Sequence, residues 1–226
     1  MGERITFNRP DGASVAGYLA PAVGGAAAAP GVVMIQEWWG LSDQITGLAD
    51  RLAQEGFNVL APDLYAGRVV PYHDAEAANR EMTSLDFIDA VDQTLRGAAH
   101  HLLKDAKKVG VTGFCMGGAM TVIAAARAPQ FTCGVAFYGL PPAAAATPAD
   151  VKIPLQGHFA SKDDWCTPAA VDAFAKGLTD AGKTFEFFRY DADHAFINQQ
   201  RGTVYDRQAA ELAWARAVAF LKAQLA

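Results

Sequence analysis

The amino-acid sequence predicts an α/β fold in which a mostly parallel central sheet is covered by helices on both faces. Runs such as Gly31-Val32-Val33-Met34-Ile35 and Asn58-Val59-Leu60-Ala61-Pro62 are apolar without alternation, the pattern of a strand buried on both faces. These runs alternate along the chain with stretches whose apolar residues recur at helical spacing, and alternating strands and helices build parallel sheets. Size agrees: 226 residues, 51% of them hydrophobic, are enough for one substantial core. Residues 1–226 are therefore expected to form a single domain with no large cap.

The elements follow in order. Arg4 to Phe7 and Ser14 to Leu19 flank the turn signal Pro10-Asp11-Gly12 and read as a hairpin. Gly24 to Pro30 is a loop of small residues. Behind the first buried run, Ile45, Leu48, Ala49 and Leu52 share a helical face, and Gly56 closes that helix. Ile88, Val91, Leu95, Ala98 and Leu102 mark a helix of about five turns, followed by a strand from Lys108 to Thr112, a helix from Met116 to Arg127 and a strand from Phe131 to Phe137. The strand Ile153 to Phe159 leads to a helix with Thr167 as N-cap, Pro168 in its first turn and Gly182 beyond its end. Thr184 to Tyr190 is the last strand, and Trp214, Val218, Leu221 and Leu225 share one face of a C-terminal helix. Only Leu64 to Ser84 lacks a clean period. A long loop after a strand's C-terminal end lies where ligands bind in open sheets.

Composition excludes several functions. With 19 Lys plus Arg against 24 Asp plus Glu and a net charge of -5, the chain has no electrostatic footprint for nucleic acid. No run approaches the roughly 20 apolar residues of a membrane span, and MGERITFNRPDG lacks the layout of a secretory leader. The expectation is a cytoplasmic protein, free of membrane and nucleic-acid partners and monomeric or weakly homo-oligomeric. Its three cysteines, Cys115, Cys133 and Cys166, suit neither a disulfide framework nor a zinc site, and neither metal nor cofactor is expected.

The sharpest motif is Gly113-Phe114-Cys115-Met116-Gly117-Gly118, between a strand and an Ala-rich helix. It reads as a nucleophile elbow: a tight strand-to-helix turn exposes its central residue at a helix N-terminus, and glycines on either side relieve the crowding. The helix dipole and free N–H groups there favour a thiolate and a developing oxyanion. Set against this is the common fate of a free cysteine, a small buried residue in a turn. The partners that follow favour the catalytic role, because they come in the order nucleophile, acid, histidine. Asp163 and Asp164 both lie in Ser161-Lys162-Asp163-Asp164-Trp165, just past a strand end, and Asp164 is the preferred acid. His194, in Asp193-His194-Ala195 after the last strand, is the expected base. His158, at a strand end, reads as core.

Gln36-Glu37-Trp38-Trp39-Gly40 ends the first buried run. The loop at this position supplies one oxyanion-hole N–H, and the residue after the nucleophile supplies the other, which makes Trp38 and Met116 the donors. A carboxylate at Glu37 would raise a neighbouring thiol's pKa, so it needs either exposure or a purpose. Trp38 and Trp39 are open to two roles, pocket wall or core.

With QEWWG, APDLYAG, GFCMGG, GHFASKDDWCTP and YDADHAF on the page, the chain resembles the dienelactone hydrolase family, the carboxymethylenebutenolidases of the α/β-hydrolase fold, over almost its whole length. The resemblance implies a Cys-His-Asp triad that opens an enol lactone. It also implies that Glu37 holds the resting thiol until substrate shifts Cys115 toward His194. Family arginines that hold the substrate carboxylate would correspond to Arg80 and, four residues past the histidine, to a position held here by Asn198, with Arg201 three residues on. Trp39 joins these as a candidate substrate contact. The expected function is hydrolysis of a small lactone or activated ester through a thioester intermediate. A general carboxylesterase or thioesterase is one rival. A non-catalytic small-molecule binding or thiol-sensing protein on the same fold is another.

Overall fold

The computed structural model describes residues 1–25 and 27–226. Of the small-residue loop expected over Gly24 to Pro30, Ala26 lies outside the described residues. Eight strands form one sheet in the order β1-β2-β4-β3-β5-β6-β7-β8. They are β1 (Glu3–Asn8), β2 (Ser14–Ala20), β3 (Gly31–Ile35), β4 (Asn58–Pro62), β5 (Val109–Phe114), β6 (Phe131–Phe137), β7 (Leu155–Ala160) and β8 (Phe185–Tyr190). The β1–β2 hairpin joins antiparallel to β4, and all pairs from β4 to β8 are parallel. The expected α/β class is the observed one.

Strand periodicity distributes the core between two layers. Val32 and Met34 of β3 pack with α1 (Asp43–Gln54) and α7 (Arg207–Leu225). Val33 and Ile35 pack on the opposite face with α4 (Arg96–Leu102) and α5 (Met116–Arg127). Because successive side chains point to opposite faces, a strand covered on both sides needs apolar residues at every position. All five residues of β3 are buried. Helix α6 (Pro168–Asp180) has the N-cap expected of Thr167, whose hydroxyl accepts from the Ala170 N–H.

The segment without periodicity is only partly a loop. Ala75–Ser84 forms helix α2, capped by Asp74, whose side chain accepts from the Ala77 N–H at 2.9 Å. Ala78 is its one buried residue. The helix forms from a good cap and good helix-forming residues, and it leaves no apolar stripe to read. The long helix that follows runs through α3 (Phe87–Asp89), a π-helical stretch (Ala90–Leu95) and α4. No helix among the described residues is long and apolar enough to cross a membrane.

The topology decides where a ligand can sit. From β3 the chain passes to β4 on one side and then returns to β5 on the other. The C-terminal ends of β3 and β5 therefore flank the point where the winding reverses, which is where open sheets bind ligands.

Candidate active site

Cys115 joins β5 to α5 with φ 56° and ψ -117°, a backbone state that an L-residue adopts at a cost of about 1–3 kcal/mol. Its neighbours enforce this. A Cβ on Gly117 would lie 2.6 Å from both the Ile35 and Gln36 carbonyl oxygens, and one on Gly113 would collide with the Gly117 carbonyl. Only glycine lets α5 start this close to β3. The Cys115 N–H is anchored on the Phe137 carbonyl at 3.0 Å, and its own carbonyl accepts from Gly118 and Ala119 as the helix begins. Tyr138, whose ring packs edge-on against His194, and Ala195, the residue after that histidine, also have positive φ, and strain of this kind collects at functional sites.

His194 sits in the turn after β8. Its Nδ1 is 2.7 Å from Asp163 Oδ2, and its ring makes edge contacts with Tyr138 at 5.1 Å and Trp165 at 5.3 Å. The carboxylate that reaches the imidazole is thus Asp163's, which corrects the sequence preference for Asp164. The backbone explains the choice. Asp163 Oδ1 accepts from the N–H groups of Trp165 at 2.9 Å and Cys166 at 2.8 Å, and this turn fixes a fully buried side chain. Asp164 is exposed and borders the cleft mouth.

Electrostatics follow from this pairing. Burial is the largest single influence on His194 and works against its charged form. The hydrogen bond to Asp163, the neighbouring Cys115 thiol and the Asp163 charge together outweigh it, and the His194 pKa rises to about 10. Burial likewise disfavours the ionised Asp163, but the hydrogen bond and charge of His194 and the two backbone N–H groups hold its pKa below the ordinary carboxylate value.

Cys115 and His194 share a cleft of about 420 Å³ with the apolar side chains of Trp38, Trp165 and Val204. Lys162 and Arg201 bring positive charge to it, and Asp164 and Asp193 negative. The indole of Trp38 is therefore a wall, whereas Trp39 is 2% exposed and packs beside Val70 and Ala78. Trp39 is core rather than the expected substrate contact. It still touches the site indirectly, because the Arg201 guanidinium lies 5.6 Å from the centre of its ring. Arg80 is not part of the cleft: on the solvent face of α2 it pairs with Glu76 at 2.6 Å, four residues back, with 61% of its side chain exposed. The sequence reading missed Trp165 and Lys162, although both flank the two aspartates in the loop singled out for the acid.

Glu37 also departs from expectation. It is 2% exposed, and burial pushes its pKa up against the pull of Asn198, His194 and Arg201. Its carboxylate accepts from Asn198 Nδ2 at 2.6 Å and from the Tyr138 hydroxyl at 3.3 Å. Cys115 is not among its hydrogen-bond partners in the described residues. An amide N–H is a stronger donor than a thiol, and Asn198 places one within reach. The two remaining cysteines are buried, and burial raises each thiol's pKa to about 12.

Comparison with known proteins identifies the family. The sequence profile described as "Dienelactone hydrolase family" matches residues 15–225. The chain is 36% identical to "Protein usf" of Aquifex pyrophilus and 33% identical to "Putative carboxymethylenebutenolidase" of Aquifex aeolicus (strain VF5), with all of each chain covered in both alignments. Among solved structures it is similar to "Putative Dienelactone Hydrolase" from Klebsiella pneumoniae, with a TM-score of 0.85 and 27% identity over 97% of this chain and 98% of that one. The profile match over nearly the whole chain, with relatives aligned end to end, places this protein in the dienelactone hydrolase family as a carboxylic ester hydrolase.

Proposed function

We propose that the protein hydrolyses small lactones or activated esters through a thioester intermediate on Cys115, with His194 and Asp163 completing the triad. The observation that carries this reading is the convergence of a strained cysteine at a helix start with a histidine held 2.7 Å from a buried aspartate, both in one cleft. The same pairing recurs wherever a weak nucleophile is activated by an oriented base.

In the first step the Cys115 thiolate attacks the substrate carbonyl while His194 carries the proton. The carbonyl oxygen becomes an oxyanion. Two donors suit it. The Met116 N–H opens α5 and has no partner within the helix. The Trp38 N–H, in the turn after β3, donates to no group among the described residues. Collapse of the tetrahedral species breaks the ester C–O bond, and His194 gives its proton to the leaving oxygen. In a lactone that oxygen stays tethered to the acyl chain. Water then attacks the thioester with His194 as base, and the thiolate is expelled with the free acid as product. A thiolate leaves readily, which favours activated esters over amides.

The cleft suits a compact substrate with an apolar body against Trp38 and Trp165 and an anionic or polar group toward Arg201. Cys115→Ala should abolish turnover of enol lactones and aryl esters, measured by absorbance. Activity retained within a factor of about ten would overturn the assignment, since loss of a triad nucleophile costs several orders of magnitude.

A further inference from the structure

A buried carboxylate beside a nucleophilic thiol is a liability, because a negative charge there disfavours the thiolate. The arrangement around Glu37 answers it. Asn198, itself fully buried, donates through Nδ2 to Glu37 Oε2 at 2.6 Å and to the Tyr72 hydroxyl at 3.3 Å. Its Oδ1 accepts from the Gln200 N–H at 3.0 Å, so the amide cannot flip without losing partners on both ends. Its own N–H donates to the Ala195 carbonyl at 2.9 Å, which ties it to the turn that carries His194. Tyr138 completes the hold on the other carboxylate oxygen at 3.3 Å. Burial keeps that hydroxyl protonated and therefore a donor. The six polar groups thus sort into two sets: Glu37 with Asn198 and Tyr138, and His194 with Asp163 and Cys115.

We propose that Asn198 is a positioning residue that, with Tyr138, holds Glu37 off Cys115, so the thiol is paired with His194 before substrate arrives. The consequence for specificity rests on the hydrolytic reading above: a nucleophile already free needs no substrate carboxylate to release it, and the enzyme accepts neutral esters and lactones. The positioning itself can be measured without turnover.

The experiment is alkylation by iodoacetamide, followed by mass spectrometry across the pH range, on the wild type, Asn198→Ala, Tyr138→Phe and the double variant Asn198→Ala with Glu37→Gln. All three cysteines are buried, but only Cys115 lines the cleft, while burial raises the thiols of Cys133 and Cys166 to about 12; peptide mapping by mass spectrometry then reads the label on Cys115 by itself. Once Asn198 is lost the carboxylate is free to turn toward the thiol, and alkylation near neutral pH should slow by about tenfold, the effect of one pKa unit. Glu37→Gln in the same chain should restore the wild-type rate. Tyr138→Phe should fall between wild type and Asn198→Ala, and it keeps the test open should the alanine variant not fold. Alkylation of Asn198→Ala at the wild-type rate would overturn the proposal. So would a slow rate that Glu37→Gln does not restore, because a purely structural role for Asn198 predicts no rescue. The two readings fail separately: hydrolysis surviving Cys115→Ala strikes the triad alone, whereas unrescued alkylation strikes only the role of Asn198.

Discussion

Two histidines near the ends of β7 and β8, one fully buried and one half-buried, respond to their surroundings in opposite ways. His158 is fully buried and lies between the rings of Phe137 at 4.7 Å and Phe188 at 5.5 Å. Its nitrogens meet the Tyr190 hydroxyl at 2.8 Å and Gln156 Oε1 at 2.9 Å. Every partner is neutral, and burial, aided by the Arg216 charge, lowers its pKa to about 3. His194 keeps part of its ring open to the cleft; burial still disfavours its charged form, yet the Asp163 carboxylate and the Cys115 thiol bring its pKa to about 10. Desolvation alone makes an inert core imidazole. A charged partner on one nitrogen and a reactive group near the other make one that can hold and return a proton.

Removing the charge that separates the two should give the largest effect. Asp163→Asn keeps the shape of the loop but takes away the anion, so His194 should behave more like His158, with its pKa lowered in an imidazole NMR titration. The amide also favours the wrong tautomer, and kcat for an aryl ester should fall on the order of 10⁴-fold. Asp164→Asn, one residue along and exposed, should change kcat by less than about threefold. Equal losses in the two variants would return the orienting role to both acids.

His158 offers the opposite test, in stability rather than rate. Its folded-state pKa lies below the unfolded value of 6.5, so its neutral form contributes stability that is fully present above that pH. As pH falls from 6.5 toward 3 the unfolded chain takes up a proton that the folded one refuses, and this contribution declines by about 1.4 kcal/mol per pH unit. His158→Gln should flatten that part of the acid limb in urea titrations. At pH 7 it should cost about 1–3 kcal/mol, the range for a disrupted buried hydrogen-bond pair, while kcat stays within about threefold of wild type. His194 has the reverse sign: its raised pKa contributes stability below pH 6.5 that is lost as pH rises toward 10.

The strained strand-to-helix turn at Cys115 was legible because it is written locally. Gly113, Cys115 and Gly117 fall within five positions, between a strand and a helix whose patterns are each clear. The choice between Asp163 and Asp164 was not, because neighbours on a loop share composition and spacing. The deciding contacts are the N–H groups of Trp165 and Cys166, which close a turn on Asp163; a run of Asp-Asp-Trp-Cys-Thr-Pro leading into a helix offers that turn to either aspartate. Helix α2 escaped because burying only Ala78 needs no apolar period. The partner of Glu37 lies 161 residues away, and no local pattern records so distant a pairing.

The smallest expected effect concerns the two arginines, which differ in the same way as the two aspartates. Arg201 faces the cleft and is steadied over the Trp39 ring; among the described residues its guanidinium is in no ion pair, so its N–H groups can meet an anionic substrate group. Arg80 is occupied by Glu76 on an exposed helix face, where such a pair contributes at most about 0.5 kcal/mol. Arg201→Ala should therefore raise KM for a carboxylated ester by about tenfold, the loss of one charge-assisted hydrogen bond, with KM for a neutral ester of equal size unchanged. Arg80→Ala should leave both constants as they are. A KM rise for the carboxylated ester in Arg80→Ala instead would mean that α2 swings over the cleft when substrate binds, and the boundary between the reactive cleft and the solvated helix would have to be redrawn.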